Sequence, residues 1–174
     1  MLLQTHGSQK EPDMIRASQS RVKSLDSIIA GELIRLTSGT DVALALCLAS
    51  VGGTAAIGLF DGTSNSSPMS WANYRGFDNC LSYGVDWYLE EVHGNETGMN
   101  LHQENQNHGL YVTTEGAVLA FRSESGRRDR VHFNVHSNQP TGLGGTATPV
   151  SRWRIWERID ARNREEAPLF SMGF

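Results

Sequence analysis

With 174 residues, of which 39% are hydrophobic and 20% charged, the chain is long enough for one domain with a proper core and short for two, and this composition excludes disorder outside the ends. A net charge of −4 at pH 7 excludes a general nucleic-acid binder, because neutralising phosphates takes a surplus of Lys and Arg. The longest apolar run, Val42 to Val51, is too short to span a bilayer.

The opening MLLQTHGSQKEPDM has no basic segment followed by a long apolar one, so no secretory signal is expected, and the location expected is cytoplasmic or particle-associated. From Pro12 to Ala30 the apolar residues Ile15, Val22, Leu25 and Ile29 fall at helical spacing, with Pro12 suited to a first turn and Gly31 to a stop. The pattern predicts an amphipathic helix, taken as an N-terminal arm over residues 1–31. Its apolar stripe covers either its own domain or a neighbouring subunit.

After Gly31 the period changes to two. ELIRLTS alternates, VALALCLAS alternates large and small apolar residues, and AIGLFDG ends at a turn signal. DWYLEEV, GLYVTT, AVLAFRS, RVHFNVHS and SRWRIWERI follow, separated by Gly, Asn, Ser, Thr and Pro clusters. The expected architecture is all-β over residues 32–160, a β-trefoil or a β-sandwich or jelly roll of short antiparallel strands, preceded by the one helix. Cys47 and Cys80 are too few for a disulfide framework and are read as buried thiols. Arg127, Arg128 and Arg130 with Asp129 among them read as a charged hairpin tip.

Residues 98–137 form the most orderly unit, with MNLHQ, GLYVTT, AVLAFRS and RVHFNVHS in succession. A strand, a glycine-tyrosine hairpin, a strand and an aromatic closing strand resemble one repeat of a β-trefoil of the fascin-like or ricin-type lectin sort. LCLASVGGTAAIGLFDG is similar to the ricin-type Cys-Leu-x-x-x-Gly-Gly segment, and Ser70-Trp71 stands near its Gln-x-Trp position. No Gln-x-Trp itself occurs, and two of three repeats can be drawn. The resemblance implies a glycan-binding module.

Trp71, Asn73, Tyr74, Asp78, Asn79, Tyr83, Asp86 and Trp87 crowd one segment. Sugars bind by stacking on an aromatic face while Asp and Asn take the hydroxyls, so Trp71, Asn73, Asp78, Asn79, Tyr83, Asp86 and Trp87 are the candidate ligand-binding residues. The competing reading puts the Trp residues in the core and the Asn and Asp residues in turns.

LHQENQNHGLYVTTEG sets His102, Glu104 and His108 ahead of an apolar strand. These are ligands of the kinds that hold Zn, Fe or Mn, and His132 and His136 lie four apart on a predicted strand, hence on one face. The stretch resembles part of the first cupin motif, in which two histidines and a glutamate precede a Tyr-Val-x-x-Gly strand. Glu104 stands where that motif has its second histidine. The resemblance implies a metal site of His102, Glu104, His108, His132 and His136, against which stand solvated loop histidines and no metal or other cofactor.

The end of the chain, SRWRIWERIDARNREEAPLFSMGF, begins as a strand with Trp153 and Ile155 on one face, and closes in an apolar tip. Residues 161–174 are taken as a tail that either pegs into another subunit or folds back on its own core. No nucleophile elbow, His-Glu-x-x-His helix or phosphate loop is present. The functional expectation is therefore a non-enzymatic structural or interaction component of an assembly of capsid, tail or fibre type. It would be a homo-oligomer whose partner subunits dock on the helix and the tail. A carbohydrate-binding lectin-like module is the alternative, and a cupin-like metal protein or enzyme the second alternative.

Overall fold

The structure, a computed structural model, describes residues 20–38, 41–60, 69–75, 79–92, 109–124, 129–144, 146–164 and 166–173. Over these the chain is predominantly β, with mostly antiparallel pairing. A short strand β1 (Arg21–Lys23) and a 3₁₀ turn (Leu25–Ser27) lead into β2 (Leu33–Ser38), β3 (Asp41–Val51), β4 (Thr54–Phe60), β5 (Met69–Arg75) and β6 (Cys80–Gly84). Then come β7 (Tyr88–Glu91), β8 (Leu110–Thr113), β9 (Gly116–Ser123), β10 (Arg130–Asn134), β11 (Gln139–Thr141) and β12 (Thr148–Val150). The chain ends with β13 (Trp153–Trp156), the short helix α1 (Ile159–Asn163) and β14 (Phe170–Met172).

The helix expected over Pro12–Ala30 is corrected where that stretch is described; residues 12–19 lie outside the described residues. Val22 pairs with Leu81 of β6 in an antiparallel ladder, and the Ser24 side chain accepts from Asp26 N to start the 3₁₀ turn. The apolar spacing is divided rather than gathered on one side: Leu25 is buried, whereas Val22 and Ile29 are 72% and 58% exposed. A β-branched residue in a ladder and a serine that caps locally both draw the backbone away from a helix.

An eleven-stranded sheet runs in the order β1-β6-β2-β3-β4-β5-β9-β10-β11, with β8 joining β9 to β12, and a second sheet runs β14-β13-β7. One pair, β5 with β9, is parallel. The β2–β3–β4 part of the large sheet is covered on both faces, which explains the large-small alternation of VALALCLAS. Leu44, Leu46 and Leu48 enter the main core with Leu33, Phe60, Phe121, Phe133, Trp153, Ile155 and Phe170. Ala45 and Cys47 face the other way, where Leu25 and Ile28 close a thinner layer with Ile34, Leu36, Ala55, Ile57 and Cys80. Small side chains suit the thin layer and leucines the thick one.

The small sheet contributes its inner face to the main core. Phe170 stacks 5.2 Å from Trp153 and 5.3 Å from Phe60 between ring centroids, and Phe60 meets Phe121 edge-on at 5.5 Å. Of the two fates open to the tail, its phenylalanine at 170 takes the fold-back: β14 pairs with β13 and Phe170 is buried. Gly58 lets the Phe121 ring approach its backbone, since a Cβ there would lie 2.5 Å from that ring. Cys47 and Cys80 are both free and buried.

Candidate functional site

At the start of the described chain a carboxylate is buried against the 3₁₀ corner. Glu32 follows Gly31, whose φ of +85° and contact with the Asn138 side chain leave no room for a Cβ. The Glu32 backbone is fixed by Cys47 N donating to its carbonyl at 2.9 Å and by its own N donating to Ile29 O at 3.1 Å. The side chain is 1% exposed and points into the layer beneath β1 and β6. Its Oε1 accepts from Lys23 Nζ at 2.6 Å and from Ser82 Oγ, and its Oε2 accepts from Ile29 N at 3.0 Å. Ser82 Oγ in turn accepts from Gly84 N at 3.0 Å.

Burial pushes the Glu32 carboxyl upward, but the hydrogen bonds from Lys23, Ser82 and Ile29 with the lysine charge outweigh it and hold the group below its ordinary value of 4.5. The same burial, with the Glu32 charge nearby, pushes the Cys47 thiol up to about 12 and moves Cys80 in the same direction. The thiols therefore stay protonated and inert. Ser82 is 2% exposed, so the cluster fastens β1 to the sheet and presents no attacking group to solvent.

Over this fastening lies a groove of about 490 Å³ whose walls include Arg21, Lys23, Ser82, Tyr83 and Asp86. The Arg35 guanidinium sits 5.7 Å from the Tyr83 ring centroid, and burial raises the Tyr83 phenol. Two of the seven sequence candidates for ligand binding, Tyr83 and Asp86, thus line one groove. The other described candidates go elsewhere. Trp87 is buried in the main core with Nε1 donating to Gly31 O at 2.9 Å, and offers no open face for stacking. Trp71 packs half-buried against the same core, its Nε1 without a hydrogen-bond partner among the described residues. Asn73 and Asn79 are exposed, on β5 and at the far end of β6 from the groove, and Asp78 lies outside the described residues.

Of the metal candidates, His102, Glu104 and His108 lie outside the described residues. His132 and His136 do not share a strand face, because β10 ends at Asn134. That asparagine accepts from His136 N and Ser137 N, each at 2.9 Å, and turns the chain. His132 is half-buried and its imidazole is pushed down by burial and by Arg130, whereas His136 is exposed. Among the described residues no three His, Cys, Asp or Glu side chains gather as a metal site, and no helix is long and apolar enough to cross a membrane.

Glu32, Lys23 and Ser82 are the residues that sequence reasoning passed over. The signal was present: a single acid between Gly31 and the apolar Leu33-Ile34, and a serine at the inward position of CLSYG. Comparison with protein-family models, curated proteins and solved structures finds no match.

Proposed function

We propose that the chain is a non-enzymatic β-domain serving as an interaction component of a protein assembly of capsid, tail or fibre type, with copies of itself among its partners. The observation that carries this reading is the Glu32 fastening. A carboxylate is withdrawn from water, at a cost that only its three donors offset. What it holds is a surface segment with Val22 72% and Ile29 58% exposed. Displaying apolar side chains at a fixed place suits docking. Phe170 is committed to the domain's own core, so the contact is assigned to the N-terminal corner rather than to the tail. In architecture the reading is a sandwich rather than a trefoil, supported by two sheets lining one core.

Native mass spectrometry of the untagged protein tests this. A homo-oligomer is expected that dissociates in Val22→Ser with Ile29→Ser at unchanged thermal stability. A monomeric wild type, or an oligomer indifferent to both changes, refutes it.

A lectin-like role is a second reading, favoured by Tyr83 and Asp86 sharing the groove with Arg21. It predicts saturation-transfer signals from a sugar that disappear in Tyr83→Ala and Asp86→Ala. Binding that survives both changes ends it.

A further inference from the structure

On the opposite side of the small sheet from the core, a second polar cluster is built around one arginine. Glu90 of β7, Arg154 of β13 and Ser171 of β14 stand in one row across the three strands. The Glu90 side chain is 13% exposed and both of its oxygens are used. Oε2 accepts from the indole Nε1 of the buried Trp156 at 2.9 Å, and Oε1 accepts from Arg162 Nε at 2.9 Å. Arg162 comes from α1 and is 48% exposed. Its two terminal amino groups meet no hydrogen-bond acceptor among the described residues.

The order of these contacts matters. A surface ion pair between two free side chains is worth little and fixes nothing. Here the indole fixes the carboxylate, and the carboxylate holds the guanidinium by its Nε edge, leaving the terminal amino groups for something else. Those groups border a groove of about 650 Å³ walled also by Asn163, Glu166 and Pro168, a size ordinary for a small-ligand site. The one further acid there, Glu166, is engaged by Arg164 at 3.2 Å, so it does not claim Arg162. A planar guanidinium held in place with its fork unfilled matches a group carrying two oxygens in a plane.

We infer that this groove is a binding site for an oxyanion, a carboxylate or phosphate group of a small ligand, with Arg162 as the recognising residue, and Glu90 and Trp156 as the residues that position it. The inference stands apart from the assembly reading, since none of these residues lies at the N-terminal corner.

Isothermal titration calorimetry of the full chain with inorganic phosphate and with succinate, against sodium chloride at matched ionic strength, tests it. Saturable binding of at least one probe is expected, and the tighter probe identifies the group. Arg162→Gln should weaken it about tenfold or more, and Arg162→Lys, which keeps the charge but loses the fork, should also weaken it clearly. Glu90→Gln should weaken it through the loosened guanidinium. Arg75→Gln, which removes an exposed charge on β5 outside the groove, should leave it unchanged. Arg162 is half-exposed and only its ion pair with Glu90 is lost, so its variants stay folded, which melting curves of the same samples check. No saturation above the chloride control, or an affinity equal in wild type and Arg162→Gln, overturns the site.

Discussion

Replacing Glu32 by glutamine keeps the volume of the side chain and removes its charge. The amide offers one acceptor where the carboxylate offers two oxygens to Lys23, Ser82 and Ile29 N, and its NH₂ faces a donor on whichever side it lies. A charge-assisted hydrogen bond contributes about 1.5–3 kcal/mol. The Lys23 side chain is 35% exposed and recovers part of its hydration when released, so its share falls to about 1 kcal/mol. A donor left facing a donor in the buried layer adds about 1–2 kcal/mol. The expected loss is about 2–3 kcal/mol, which for a chain of this size lowers the melting temperature by roughly 5–10 °C.

The pH dependence fixes the sign. The folded-state pKa of Glu32 is held below the ordinary 4.5, so its contribution is fully present above that value and is lost as pH falls through the folded pKa. Thermal unfolding of wild type and Glu32→Gln followed by circular dichroism should show the full gap at neutral pH. As pH falls below the ordinary 4.5 the gap should narrow, because the unfolded wild type takes up the proton first and the folded form follows at its lower pKa. A gap that is absent at neutral pH, or that stays constant down to pH 3, refutes the assignment of Glu32 as the charged fastening of β1.

Phe170→Ala should destabilise by about 3–5 kcal/mol in chemical denaturation, since it empties a ring site between Phe60 and Trp153; a change under about 1 kcal/mol would mean the tail is not held. Gly58→Ala should cost about 1–3 kcal/mol, because its Cβ meets the Phe121 ring, and Phe121→Leu in the same chain should recover part of that loss. Neither Cys47 nor Cys80 should react with an aromatic disulfide reagent at pH 8 in the native protein, given burial and the raised thiols, and both should react in denaturant. Nuclear magnetic resonance titration should place the His132 midpoint below the ordinary 6.5, as burial and Arg130 require.

What the sequence disclosed is what local chemistry decides. Period-two runs became strands because their alternation serves two covered faces, as in β3 with leucines on one side and Ala45 and Cys47 on the other. Trp153 and Ile155 turned inward together as their spacing required. The failures share a cause too. Val22, Leu25 and Ile29 fit a helix by spacing, yet the ladder to β6 and the Ser24 cap are tertiary and local hydrogen bonds that spacing does not register. His132 and His136 were separated by one asparagine that ends the strand. For Trp87 the sequence leaves a sugar site and the core both open, and the structure takes the core, with the indole donating to the Gly31 carbonyl. The apolar neighbours of Glu32 and the inward position of Ser82 signal that each is buried, but their pairing joins residues 9 and 50 positions apart, and single-sequence patterns do not say which buried polar groups meet.

Open sheet edges invite pairing with any other strand, and among the described residues the terminal strands β1, β7, β11 and β12 are built against it. β1 is three residues long and flanks Val22 with Arg21 and Lys23. β11 and β12 each carry a proline, Pro140 and Pro149, which removes a ladder donor. β7 ends in Glu90-Glu91. Two copies of β1 paired about Val22 would set Arg21 of each opposite Lys23 of the other, and like charges directly opposed are destabilising. Under the assembly reading the subunits are therefore joined through side chains and not through shared ladders. The positioning of those side chains then sets both affinity and geometry, because a segment already held loses less freedom on association. Glu32 faces inward and meets no partner, yet loosening it should weaken the oligomer: Glu32→Gln should dissociate at a higher protein concentration than wild type at a temperature where both remain folded. Equal dissociation would separate the fastening from the contact and leave Glu32 a residue of stability alone.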